Sequence, residues 1–338
     1  MITVFYREDN TIHARTIAPN DDMPRWPVWI DLHAPTDADY AFIDRECKIE
    51  MPTKSEVWKN NVLNRLYIED DYAYMTAALI TKIDSPYPGT APVTFILGPA
   101  YLITVHDIAP TSFKNFAVRL QKPTETFPTP LYILEGLAEE IITRIAYNSE
   151  IVVDTLDQMS HDIFGATNRS EADNDTAAKQ KNRQNVSKSS TLLQGVLKQL
   201  GAAADLNSKI NESLHSMNRM LVFFKQEIST DAKIDAKLDL LITDTNALLT
   251  QTAFLSDKVT FQLDATLGMI NVEQNVIIKI FSMVAVFFLP PTLISSMYGM
   301  NFKHMPELSW DVGYPIALFL MFLSAAIPFF YFRRRGWL

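Results

Sequence analysis

Two runs without a charged residue constrain this chain more than anything else in it. Ile280–Phe302 and Val312–Phe332 each lack Asp, Glu, Lys and Arg. Each exceeds the ~20 residues that carry a helix across a ~30 Å hydrocarbon layer. The competing reading, two buried helices in a soluble core, fits such lengths poorly. Lys279 precedes the first run, and Arg333, Arg334 and Arg335 follow the second. The loop between them holds Lys303, His304, Glu307 and Asp311, whose charges roughly cancel. Basic residues gather on the cytoplasmic side of membranes. Both termini are therefore expected in the cytoplasm and the loop outside.

The chain has 338 residues and a net charge of −9, a length that suits about two domains. The acidity, with no basic stripe, argues against a nucleic-acid partner. No GxxxxGK phosphate loop occurs, which argues against ATP as a partner. The six histidines form no His-x-x-x-His or Cys/His cluster. One cysteine, Cys47, excludes an intrachain disulfide framework and suggests a reducing compartment. "MITVFYREDN" has no long apolar stretch, so no signal peptide is expected.

The charged part reads in two styles. "VFYR", "PVWIDL", "AYMTAALI", "VTFIL" and "YLITVH" are short β-branched and aromatic runs between turn residues, hence strands. Asp37–Cys47 carries a helical pattern. Three prolines in "QKPTETFPTP" (121–130) mark a boundary. Beyond it, 131–165 and about 176–227 read as helices joined by "GATNRSEADND". A third starts near Ser229–Thr230 and runs to Leu289 and into the membrane. At 1.5 Å per residue a helix of about 60 residues is roughly 90 Å long, which suggests a coiled coil or helical assembly. The expected class is an α+β membrane protein. Its segments are an α/β domain (1–125), a helical pair (126–228), a long helix with the first span (229–298), a loop (299–311), a second span (312–332) and a basic tail (333–338).

The first span is uneven. Asn271, Asn275, Ser282, Ala285, Leu289, Thr292, Ser296 and Gly299 recur in steps of 4, 7, 3, 4, 3, 4 and 3. That spacing puts them on one helix face, and all but Leu289 are small or polar. Such a face serves helix packing in lipid, or it lines a pore. A two-span hairpin cannot enclose a pore alone, so the second reading needs a symmetric ring. Pro290 and Pro291 free the carbonyls of Val286 and Phe287. Thr292, Ser295 and Ser296 are nearby hydroxyls that could satisfy them. Gly299 is expected to turn the chain, and Met300 to pack and fix that turn. Acids on the helices, Asp231, Asp235 and Asp239 among them, read as a solvated face or as weak sites for hard cations between subunits.

"YGMN" (298–301), "MPEL" (305–308), "GYP" (313–315) and the terminal "YFRRRGWL" together resemble the CorA family of magnesium channels. "EQNVIIKIF", "FLPPTL" and "WIDL" extend the likeness over the chain. The resemblance implies a homopentamer in the inner membrane, with an N-terminal cytoplasmic α/β domain and a funnel of long stalk helices. It implies Mg²⁺ as cargo and possible regulator, Co²⁺ and Ni²⁺ as further cations, and membrane lipid as surroundings. Gly299, Met300 and Asn301 would form the outer selectivity site, with Thr292 a level deeper. Leu289 would be a constriction, and Asn275 would sit near the cytoplasmic end. Glu307 and Asp311 would attract cations, and Lys279 with Arg333, Arg334 and Arg335 would form an inner basic ring. The family's acidic stretch is replaced here by "SEVWKNN" (55–61), with Trp58 and Lys59. Glu69, Asp70 and Asp71 nearby are the acids that would compensate. A zinc transporter of the ZntB type and a non-conducting membrane-tethered coiled-coil scaffold are the alternatives; an enzyme is not expected.

Overall fold

A computed structural model describes residues 1–9, 11–52, 66–83, 85, 87–122, 127–172, 182–229, 231–300, 310 and 312–335. The chain divides into two compact units, Met1–Ala177 with Gln194–Asp264, and Ala178–Leu193 with Ala265–Leu338.

The first unit is built on a seven-stranded sheet. Its strands are β1 (Ile2–Glu8), β2 (Thr11–Ile17), β3 (Pro27–His33), β4 (Leu66–Glu69), β5 (Tyr72–Thr81), β6 (Gly89–Leu97) and β7 (Leu102–His106), in spatial order β2-β1-β3-β7-β6-β5-β4. Only β3 and β7 run parallel; the other neighbours are antiparallel. All five strands expected from the sequence are present. The two that were not expected, β2 and β4, are the sheet edges, and their side chains are largely exposed. Edge strands need no apolar face, so they carry little hydrophobic signal.

Alternation along β3 explains the two layers beside the sheet. Ile30 and Leu32 join Val4, Ile103 and Val105 in a core against Phe42 and Ile43 of α1 (Asp37–Cys47). Trp29 points the other way, stacked on Phe5 at 4.4 Å and packed near Phe113 and Phe116 of α2 (Thr111–Leu120). With both faces covered, β7 is buried along its whole length. α1 starts where expected because Thr36 and Asp39 form a reciprocal capping box.

Three long helices follow: α3 (Pro130–Ala172), α4 (Asn182–Phe223) and α5 (Ala232–Tyr298). α3 runs through "GATNRSEA" rather than stopping at 165, since nothing in 165–172 breaks a helix except one tolerated glycine. α4 closes on a π-helical turn, Phe224–Ile228. On β5, beyond the part paired by β4, Ser213 donates to the Ala78 carbonyl and Ser216 accepts from the Ala78 N–H, each at 2.8 Å. The helix thus satisfies an open strand edge. Side-chain bonds tie α5 to its neighbours: Lys237 to Glu135, Gln262 to the Leu156 carbonyl, and Asn207 to Thr252 and Ser256.

In the second unit, the later part of α5 pairs with α6 (Gly313–Arg334). Both helices are long and apolar enough to cross a membrane, and only 6% of each span is buried within the chain. A core helix of a soluble protein would be mostly buried, so this exposure favours the membrane reading. α5 continues through Pro290 and Pro291 to Tyr298, the end expected from the sequence.

Candidate functional site

The later part of α5 has two unlike faces. Met283, Phe287, Pro290, Pro291, Ile294 and Tyr298 are half-buried, at helical spacing. Phe287 meets Phe329 at 6.2 Å and Phe332 at 5.9 Å between ring centres, so this is the face toward α6. On α6 the matching positions are Gly313, Ala317, Met321, Ser324, Ala325, Pro328 and Phe332, several of them small. Small residues allow close approach of helices in lipid. This packing face went unremarked in the sequence, where the eye goes to polar residues.

The stripe lies elsewhere. Counting about 100° per residue, Ser282, Ala285, Leu289, Thr292 and Ser296 fall within about 40° of the direction opposite Phe287. All five are exposed in the single chain, as is Asn275 about two turns below Ser282. The stripe is therefore not the face of α5 that packs on α6, which takes the opposite side.

The end of α5 differs from expectation in three details. Thr292 Oγ1 donates to the Phe288 carbonyl at 2.6 Å, not to the carbonyls of Val286 or Phe287 that the prolines free. Gly299 has no left-handed backbone; instead, an added Cβ would lie 3.3 Å from the Ser295 carbonyl. Its small size matters there, because its N–H closes the last turn on that same carbonyl at 3.0 Å. Met300 is 48% exposed, so it does not pack to fix the turn within one chain. Asn301, Glu307 and Asp311 lie outside the described residues, as do Trp58 and Lys59.

The antiparallel hairpin brings Lys279 and Arg333–Arg335 to the same end, away from Gly299. Arg333 and Arg334 occupy the last turn of α6, where cations suit the helix dipole. Arg335 stacks over Tyr331 at 5.6 Å.

The acids proposed for regulation are engaged separately. Asp231 accepts from the Tyr132 hydroxyl at 2.7 Å, and this bond holds its carboxyl below the usual carboxylate range. Asp239 pairs with Lys225 at 2.5 Å. Asp235 keeps one buried carboxylate oxygen without a partner among the described residues. Glu69, Asp70 and Asp71 form the β4–β5 hairpin, with Asp70 and Asp71 at φ of 46° and 66°. Two successive left-handed residues make the turn that suits a two-residue hairpin, so these acids have a structural role. Burial, with charges that include Glu69 and Asp70, pushes the Tyr74 hydroxyl up to about 12. Among the described residues no three acids, histidines or cysteines converge on a metal-sized site within one chain.

A sequence model of the family described as CorA-like Mg²⁺ transporter protein matches residues 27–334. The chain belongs to the CorA-like Mg²⁺ transporter family. It is 28% identical to the magnesium transport protein CorA of Escherichia coli (strain K12) over 338 residues, all of both chains. Its fold matches the complete CorA magnesium transporter of Methanocaldococcus jannaschii with a TM-score of 0.72, at 18% identity, covering 100% of this chain and 99% of that one. The ZntB cytoplasmic domain of Vibrio parahaemolyticus is a looser likeness, with a TM-score of 0.55 at 10% identity over 80% of this chain and 97% of that one. At such identities the two structures speak for the fold alone. The resemblance read from "YGMN" and "MPEL" is therefore correct at the level of the family.

Proposed function

We propose that this CorA-like chain is a passive channel for hydrated Mg²⁺ in the inner membrane, built from five copies around a pore lined by the stripe of α5. One observation carries the reading: the polar stripe on a membrane-length helix faces away from α6. Polar groups on a span are seldom left to lipid. A ring of identical helices would turn Asn275, Ser282, Thr292 and Ser296 inward and leave α6 outside. Asn301 would follow at the outer mouth, where neutral amides hydrogen-bond a hydrated ion without trapping it.

Magnesium keeps several of its waters when bound, so a lining of hydroxyls and amides suits it better than a cage of carboxylates. An inside-negative potential favours entry by ~2.3 kcal/mol per charge per 100 mV, hence ~4.6 for a divalent ion, without ATP. The basic cluster of Lys279 and Arg333–Arg335 supports cytoplasmic termini. Regulation by intracellular Mg²⁺ would act at contacts between copies, since the described residues of one chain assemble no such site.

The test is reconstitution in liposomes with a Mg²⁺-sensitive dye inside. Mg²⁺ entry that rises with an imposed inside-negative potential supports the reading. Entry of Zn²⁺ but not Mg²⁺ would move the chain to the zinc branch. No flux of Mg²⁺, Co²⁺ or Zn²⁺ would leave the scaffold.

A further inference from the structure

Within the first unit, a cavity of about 430 Å³ opens between the end of β5, the start of α2 and one face of α3. Its lining carries two cations, Lys82 and Arg144, and no acid among the described residues. Neither cation is in a salt bridge among those residues. Arg144 lies over the Tyr147 ring at 4.9 Å, which orients its guanidinium.

The first turn of α2 forms part of the same wall. Its capping residue is Pro110, which offers no side-chain bond, and its first turn holds no acid. The leading N–H groups of a helix need acceptors, and the dipole there favours negative charge. Ser112, 4% exposed, adds a hydroxyl to this corner.

A second observation is independent of the helix end. Asn148 lines the cavity, is 1% exposed, and its side-chain oxygen has no partner among the described residues. Leaving a buried polar group unpaired is unfavourable, and native chains hold few such groups. Arg144 and Asn148 are four residues apart, on one face of α3. The amide keeps its shape when turned over, so its orphan position can accept or donate. The remaining walls are apolar, chiefly Ile83, Ile108, Ile141 and Ile145.

We propose that this cavity binds a phosphorylated small molecule. Its phosphate sits at the start of α2 between Arg144 and Lys82, as anions do at helix N-termini. Its body lies against the isoleucines, and a polar edge meets Asn148. The volume suits a ligand the size of a mononucleotide. The inference stands on the cytoplasmic unit alone and does not depend on the transport reading.

Calorimetric titration of the full-length protein in detergent tests this, with AMP and adenosine as probes at constant Mg²⁺. AMP should bind saturably and adenosine at least about tenfold more weakly, because a charge-assisted phosphate contact is missing. Arg144→Gln should weaken AMP by a similar factor. Asn148→Leu should weaken AMP while leaving the melting temperature equal or higher, since it removes an unpaired buried group. Equal binding of AMP and adenosine, no saturation at millimolar AMP, or unchanged AMP affinity in Arg144→Gln would each overturn the proposal.

Discussion

The Thr292 hydroxyl donates its proton to the Phe288 carbonyl one turn back, at 2.6 Å. Its oxygen lone pairs are then left on the exposed stripe of α5. A hydrated cation presents the hydrogens of its waters outward, so a pore wall for it must accept hydrogen bonds. Thr292 is set up to do so. Thr292→Val keeps the shape and removes the acceptor. It should lower Mg²⁺ flux by roughly fivefold, the worth of about one ordinary hydrogen bond. Thr292→Ser should stay close to the parent. Equal flux in all three proteins, measured with the dye assay, would remove Thr292 from the pathway.

Asp235 is the acid to test for regulation, because Asp231 is held by Tyr132 and Asp239 by Lys225. Of these three acids, only Asp235 has a buried oxygen lacking a partner among the described residues. If Mg²⁺ bridges copies there, Asp235→Asn should weaken Mg²⁺ protection against limited proteolysis. Asp239→Asn should have a smaller effect. Identical protection curves for Asp235→Asn and the parent would leave these acids as a solvated face.

The capping box of α1 makes a pH-dependent contribution. Burial pushes the Asp39 carboxyl up, but bonds from the Thr36 main chain and hydroxyl, with the N-terminal amine, outweigh it and hold it below its ordinary value. The folded state then binds fewer protons than the unfolded one between the two values. That part of the stability is full above the unfolded value of about 3.9 and is lost as pH falls through the folded one. Asp39→Ala should therefore destabilise the protein by roughly 1 kcal/mol at neutral pH. The gap in melting temperature from the parent should narrow at about pH 3. A gap of constant size across that range would assign the effect to packing.

Membrane orientation is open to labelling. A cysteine at Ser309, in a Cys47→Ser background, should react with an impermeant thiol reagent added outside the cell. Reaction only after the inner face is exposed would reverse the orientation inferred from Lys279 and the terminal arginines.

The central strands and α1 were legible because burial writes itself into residue type. β7, buried along its length, reads "LITVH", and the helical pattern of Asp37–Cys47 buries Phe42 and Ile43. The edges β2 and β4 were not legible, since exposed strands such as "TIHARTI" follow no apolar rule. The stripe was visible as a period, but not which face α6 would take. That choice lies in Phe287, Phe329 and Phe332 and in the small residues of α6, where all but Ser324 are apolar and sequence patterning is silent. The cavity at Arg144 had no sequence signal, because its walls come from three distant segments.

Magnesium flux through Asn301→Ala tests the central claim most directly. Asn301 follows Gly299 at the mouth of the proposed pore, and removing one polar side chain there should leave fold and assembly intact. Native mass measurement should first establish that parent and variant both assemble as pentamers of the 38.4 kDa chain. In liposomes under an inside-negative potential, the parent should then fill with Mg²⁺ while Asn301→Ala shows little or no entry. Parent-like Mg²⁺ entry through correctly assembled Asn301→Ala pentamers would contradict the account.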